Sequence, residues 1–255
     1  MVNYHVADRI GYITLNRPEK RNALNDEMVT ALKNAFKQAE NDESCKVIIL
    51  HANGDVFCAG ADLAYLKKLQ ENNFEENLTD SKHLMSLFKL IHDLPKVVIA
   101  QVEGHAIAGG AGLATVCDIV FSVPEAKFGY TEVRIGFIPA IVSIFLARKV
   151  GEAHTKDLLL SGRLVHALEA KEMRMINFVY EAKEIQREVL QYAKHICSDA
   201  SGTSLALTKN LIGNAFNLQL QEFLIVAAEM NAEARGSDDC QRGISAFLNK
   251  EKIMW

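Results

Sequence analysis

Three stretches of this 255-residue chain carry groups that could do chemistry. The first surrounds Glu132, which stands between Phe128-Gly129 and Gly136-Phe137-Ile138-Pro139 in an otherwise apolar stretch. A carboxyl in apolar surroundings has its charged form disfavoured, so it can hold or exchange a proton near neutral pH. An ion pair with nearby Arg134 is the competing, purely structural reading. The other two stretches are loops rich in small residues, Cys58-Ala59-Gly60-Ala61-Asp62-Leu63 and Ala108-Gly109-Gly110-Ala111-Gly112. Glycine lets backbone approach a ligand closely, and free N–H groups at a helix start point at negative charge. One N–H from each loop could converge on a carbonyl oxygen as an oxyanion hole, where losing one donor typically costs about 3–4 kcal/mol of barrier. The same glycines could instead serve only close packing of helix on sheet. The second loop does not match GxGxxG, so a dinucleotide site has little support. Asp62 follows a glycine turn and reads as a helix N-cap. Asp118 sits at a helix-to-strand junction and reads as a hydrogen-bonded structural carboxylate.

The elements that must position these groups alternate. Arg9 to Leu15 is rich in β-branched residues and reads as a strand closed by Asn16-Arg17-Pro18. Asp26 looks like the N-cap of a helix running to about Asn41, with Met28, Leu32, Phe36 and Ala39 at helical spacing. Val47–Leu50 and Val97–Val102 are continuous apolar runs suited to strands buried on both faces. A helix from about Ser81 to Leu94 precedes Pro95, a small-residue helix ends near Cys117, and a strand follows it. Beyond Ala140 the chain reads as helix after helix, the last from Cys240 to Asn249. This order predicts an α/β sheet core followed by a helical C-terminal region. No repeat is visible in the sequence.

Composition narrows the function classes. Hydrophobic residues make up 49% and charged residues 24%, an ordinary globular balance, and the net charge is −4. No basic patch favours nucleic acid, and no polybasic segment or apolar run of about 18–20 residues favours a membrane. The first residues lack the pattern of a leader peptide, so a cytoplasmic location is expected. Five cysteines without CxxC and eight histidines without HExxH leave no metal or redox spacing, so no metal site is expected and the thiols read as packing groups.

With these residues in view, the chain resembles the crotonase superfamily of enoyl-CoA hydratases and isomerases nearly end to end. Four motifs carry the likeness in order: Asn16–Asn25 (NRPEKRNALN), Val56–Leu63 (VFCAGADL), Glu103–Ser122 (EGHAIAGGAGLATVCDIVFS) and Ala126–Ala140 (AKFGYTEVRIGFIPA). The resemblance implies a spiral of ββα units over residues 1–195 and a helical oligomerisation region over 196–255, assembled as a homotrimer or a hexamer of paired trimers. It implies an acyl-CoA thioester substrate with no separate cofactor, since coenzyme A is part of that substrate. Carried over by position, the oxyanion donors are the N–H groups of Ala61 and Gly109, and Glu132 is the acid/base. Ala23, Ala59, Asp62, Leu63, Ala64, Gly112 and Pro139 would line the CoA and acyl channel. Phe247 and Lys250 would reach a neighbouring subunit's adenine.

Three departures matter. Two-carboxylate hydratases of the family carry a Glu where this chain has Gly112. Dienoyl-CoA isomerases add an acid where it has Ala140, and the decarboxylase branch usually loses the acid at the Glu132 position. A single carboxylate is shared by 3-enoyl to 2-enoyl isomerases and by hydratases of branched glutaconyl esters. The stretch GGAGL with TEVRIGFIPA resembles the second set, exemplified by 3-methylglutaconyl-CoA hydratases. Arg134 or Arg148 could meet a distal substrate carboxylate, against surface salt bridging as the alternative. A non-catalytic acyl-CoA-binding member is a further alternative. Arg174 stands where the family usually has a glycine in the left-handed region.

Overall fold

The computed structural model describes all residues, Met1–Trp255. Strands β1 (Val2–Ala7) and β2 (Ile10–Leu15) form a hairpin, followed by helix α1 (Asp26–Asn41). The next elements are β3 (Val47–Ala52), β4 (Val56–Cys58), α2 (Leu63–Glu71) and α3 (Phe74–Asp93). Then come β5 (Val97–Val102), β6 (His105–Ile107) and α4 (Gly109–Val116). A third group is β7 (Ile119–Ser122), β8 (Lys127–Gly129), a single 3-10 turn at Glu132–Ile135, and α5 (Ala140–Ser161). Short elements β9 (Leu164–His166), α6 (Ala167–Glu172) and β10 (Phe178–Val179) lead to α7 (Ile185–Asp199). Three helices close the chain: α8 (Gly202–Asn214), α9 (Leu220–Gly236) and α10 (Asp238–Asn249).

The strands sort into two sheets, one ordered β1-β2-β3-β5-β7-β10 and the other β4-β6-β8-β9. Each passage of the chain therefore adds one strand to each sheet and then a helix. The mixed α/β class predicted from the sequence holds, and the ββα unit repeats three times in geometry although no residue pattern repeats. Pairing from β2 to β3, β5 and β7 is parallel, as is pairing from β4 to β6 and β8. Continuous apolar runs make the large sheet a buried layer: Val47–Leu50 are all buried between helices.

Several sequence expectations shift. The N-cap of α1 is Asn25, whose side chain accepts from the Met28 N–H; Asp26 is the first helical residue. α3 begins earlier than expected, at Phe74, with Asn73 and Glu76 forming a reciprocal capping box. The segment after Ala140 is not all helix, since β9 and β10 complete the two sheets. The boundary placed between residues 195 and 196 falls inside α7, which buries Ile185, Val189, Ala193 and Cys197 against the core. Packing changes character only after Ala200. Arg174 does adopt the left-handed region, at φ 63° just past α6. No helix is long and apolar enough to cross a membrane.

Candidate active site

Strands β4, β6 and β8 are parallel neighbours, so their carboxyl ends emerge on one edge of the small sheet. Open α/β sheets place ligands outside such strand ends. Here the three segments that follow are residues 59–62, 108–109 and 130–132, which contain all the groups singled out for chemistry.

Close backbone contact locks the first two segments together. Gly60 has φ 88°, and a Cβ there would lie 2.9 Å from the Cβ of Ala108. A Cβ on Gly110 would lie 2.3 Å from the Cys58 carbonyl oxygen. Any side chain at either position would push the loops apart. Gly60 and Ala108 are also the residues directly before Ala61 and Gly109, so the two proposed donors leave adjacent points of the chain. Neither donor's N–H has a partner within the protein. Ala61 is exposed, and Gly109 is the first residue of α4, where N–H groups are free by construction. Ala108 is strained by this geometry, with a positive φ of 50° at the helix N-cap.

The motif at Asn16–Asn25 forms the third wall. Asn22 is fully buried and donates to the carbonyls of Asn53 and Val56, while its own oxygen accepts from the Arg17 N–H. Leu24 pairs with Ala61 in an isolated parallel bridge, donating to the Gly60 carbonyl and accepting from Asp62. Ala59 donates to the Arg21 carbonyl. Ala23 is buried behind this seam, and Ala59 is half-buried. Asp62 caps α2 as predicted, accepting from the Ala64 N–H at 2.8 Å, and also meets Arg17 at 2.8 Å. Burial alone would raise the Asp62 carboxyl, but the Ala64 N–H and the Arg17 guanidinium outweigh it and hold it below the usual range. Leu63 and Ala64 are exposed at the start of α2.

Glu132 begins the 3-10 turn after β8, and that segment is anchored from below. The fully buried Tyr130 hydroxyl lies 3.0 Å from Thr115 Oγ1, which itself donates to carbonyls of α4. Ala108 donates to the Gly129 carbonyl, tying the second and third segments. Glu132 Oε2 is buried without a hydrogen-bond partner. Burial therefore pushes the carboxyl above its ordinary pKa, only partly offset by its own backbone N–H. The ion pair with Arg134 does not form. Arg134 is exposed and makes no salt bridge, and residues two apart on a helical turn do not face each other. Arg148 also makes none; its partners are His92, Gly213 and Asn217.

Gly112 is buried rather than open. A Cβ there would meet Val142 Cγ1 at 2.2 Å and Phe88 at 3.0 Å. The place where a second carboxylate would start is occupied by apolar side chains from α5 and α3. Pro139 is half-buried at the start of α5. Phe247 is 82% exposed and Lys250 ends α10 at φ 57°, both outside this site within one chain. Asp118 accepts from the Val98 N–H and from Lys209 at 2.7 Å, the structural role expected of it. Sequence reasoning did not single out Asn22, Arg17, Tyr130 or Val142. Only Arg17 and Asn22 had a signal, their place in the first motif.

Two N–H groups without partners and a half-buried carboxyl with one unpartnered buried oxygen thus lie on the three segments that leave one edge of the small sheet. The family model for enoyl-CoA hydratase/isomerase matches residues 6–255, and the chain belongs to that enzyme family. A relative from Thermus thermophilus that bears an enoyl-CoA hydratase name is 42% identical over 241 residues, covering 94% of this chain and 95% of its own. A Legionella pneumophila structure described as an enoyl-CoA hydratase/isomerase (crotonase) is 35% identical. It superposes with a TM-score of 0.89 and covers 98% of this chain and 97% of its own. An enoyl-CoA hydratase structure from Shewanella pealeana reaches a TM-score of 0.94 at 27% identity, covering 100% of this chain and 95% of its own.

Proposed function

We propose that the protein is a hydro-lyase that adds water to, or removes it from, a 2-enoyl-CoA thioester. In the hydration direction the thioester oxygen sits between the N–H groups of Ala61 and Gly109. The water oxygen bonds to Cβ, and the displaced electron pair moves to the thioester oxygen as an enolate held by those two donors. Glu132 takes the water proton and returns it to Cα as the carbonyl reforms. The observation that carries this reading is the buried, unpartnered Glu132 Oε2 on a segment tied, through the Ala108–Gly129 hydrogen bond, to the loop that carries a free backbone donor. Such a group has no structural employment and a pKa displaced toward neutrality.

Coenzyme A would run past Ala23, Ala59, Asp62, Leu63 and Ala64, with the acyl group toward Pro139. Gly112 would contribute only through the apolar cover it permits. A branched glutaconyl ester is the favoured acyl class by likeness of the motif. Arg148 lines the space between α3, α5 and α8 and not the segment of Glu132, so it gives that assignment no support. A second reading, 3-enoyl to 2-enoyl isomerisation, is favoured by one observation: Val142 and Phe88 fill the space over Gly112, leaving a single carboxyl to move a proton between carbons. Assembly as a trimer or hexamer is supported by the apolar residues that α8, α9 and α10 expose. In that assembly Phe247 and Lys250 would be free to meet a neighbour's adenine.

The test is product analysis in heavy-oxygen water with crotonyl-CoA, 3-methylglutaconyl-CoA and a 3-enoyl-CoA in separate reactions. A hydrated product carrying the heavy oxygen supports the hydro-lyase, and the preferred ester names its class. Conversion of the 3-enoyl ester without oxygen uptake from any substrate supports the isomerase. CoA-ester binding with no turnover of any would leave only a binding protein.

A further inference from the structure

A cavity of about 600 Å³ lies between α3, α5 and α8, away from the strand ends. Its volume is that of a small-molecule site, usually about 300–1,000 Å³. None of Ala61, Gly109 or Glu132 lines it. Phe88, which covers Gly112, stacks on Phe145 of the cavity wall at 5.9 Å, so an aromatic layer stands between α4 and this space.

The cavity has two unlike walls. Met85, Ile141, Ile144 and Phe145 make one apolar side, and Ile144 is 55% exposed within it. Arg148 and the amides of Asn210, Asn214 and Asn217 make the other. The charges on the polar side do not cancel. Lys89 pairs with Asp93 and Lys209 with Asp118. The His92 pKa is lowered, first by burial and then by Arg148, which favours the neutral ring. Arg148 remains, and every partner it has is uncharged: His92 Nε2 at 3.2 Å, the Gly213 carbonyl at 3.1 Å and Asn217 Oδ1 at 2.5 Å. Its guanidinium also covers the Phe216 ring at 5.7 Å. Arg17, Arg163 and Arg187 each meet a carboxylate of this chain; Arg148 is among the arginines that do not, and it is the one that lines this cavity. Arg148 Nε makes no hydrogen bond, and a guanidinium oriented by neutral acceptors with a donor to spare matches a carboxylate.

We propose that this cavity is a second binding site, for a small amphipathic carboxylate whose acid group meets Arg148 and whose alkyl tail lies on Ile141, Ile144 and Phe145. None of the three proposed catalytic groups lines it, although Ala140 at its rim directly follows Pro139 of the proposed acyl channel. Its floor, α5, starts directly after the Glu132 segment, and Arg148 fastens α5 to α8, so an occupant would brace the C-terminal helices against the core.

Calorimetric titration of the full chain with hexanoate, and separately with hexan-1-ol, tests this. Hexanoate is expected to bind at one site per chain, unaffected by saturating crotonyl-CoA, and hexan-1-ol at least tenfold more weakly. Arg148→Met should weaken hexanoate at least tenfold, with partial recovery in Arg148→Lys. Because Arg148 also ties two helices, Ile144→Trp serves as the second variant. It fills the apolar wall, leaves the arginine in place and should also lose at least tenfold. Absence of saturable binding below about 10 mM would overturn the proposal. So would equal binding of the alcohol, indifference to Ile144→Trp, or displacement of hexanoate by crotonyl-CoA.

Discussion

The spiral and the three last helices are built to different standards. A single apolar cluster of 52 buried residues runs from Ile10 to Cys197 and takes in both sheets and α1, α3, α4, α5 and α7. Beyond Cys197 only Ser201 and Ala246 are buried. α8 and α9 bury no residue at all, yet they expose Ile212, Phe216 next to α8, Leu220, Leu224 and Ile225. Fully burying one such side chain is worth about 1.5–3 kcal/mol, so this surface is stabilised by whatever covers it. The spiral completes itself within one chain, and its site depends on contacts too close to admit a Cβ. The C-terminal helices leave their apolar side for a further surface.

Substitutions can break or sharpen that contrast. The largest effect among them should come from Gly109→Pro. Proline is tolerated at the first position of a helix, so the change removes one proposed oxyanion donor while α4 persists. A fall of about 10²–10³ in kcat is expected from steady-state kinetics, with a lowered Tm in thermal melts because Ala108, at φ 50°, would precede the ring. Next, Leu224→Asp with Ile225→Asp should dismantle the proposed assembly without unfolding the spiral. Sedimentation should show a smaller particle, and Tm should lose any dependence on protein concentration, with about 1.5–3 kcal/mol of association lost per side chain. An unchanged particle would mean that these residues face solvent for some other reason.

Gly112→Glu should cost about 1–3 kcal/mol in denaturant titration, because its side chain must displace Val142 and Phe88. Adding Val142→Ala should recover part of that loss. If the single change left stability intact, the cover over Gly112 would be looser than its 2.2 Å approach implies. The smallest effect is Arg174→Gly. With φ 63°, the arginine is strained by about 1 kcal/mol, and glycine should raise Tm by about 2–4 °C.

The same contrast governs what the sequence could reveal. Residues acting through local backbone geometry were legible: the two glycine loops and the Asp62 cap; the left-handed Arg174 follows only from the family resemblance. So was Glu132, because a charged residue in an apolar run is conspicuous. Strands β4, β6, β8 and β9 were not, since three residues are too few to show alternation. β1 alternates half-buried with exposed residues and reads as polar. The Val142 cover over Gly112 joins residues thirty apart on different helices, and nothing local encodes it. The competing ion pair with Arg134 could not be dismissed from the sequence, because nearness along the chain does not reveal which way two side chains face. The buried Asn22 was hidden inside a polar loop; its burial follows from three hydrogen bonds made only once the loop has closed.

The central claim is that Glu132 is the lone acid/base of the site. Its direct test is Glu132→Gln, compared with the native protein for turnover against pH, for CoA-ester affinity and for Tm. General acid–base catalysis predicts a loss of about 10²–10⁴ in kcat with affinity nearly unchanged. In the native protein the acid limb of kcat/KM should lie above the ordinary glutamate pKa of about 4.3, because burial raises this carboxyl and the base must be ionised to act. The variant should lose that limb. A folded-state pKa raised by burial means the native state holds the proton more tightly than the unfolded chain. The cost of ionising it therefore grows as pH rises through the folded value, and glutamine should leave Tm at pH 7 equal or higher. A variant that kept full turnover, or an acid limb unchanged by the substitution, would contradict the account.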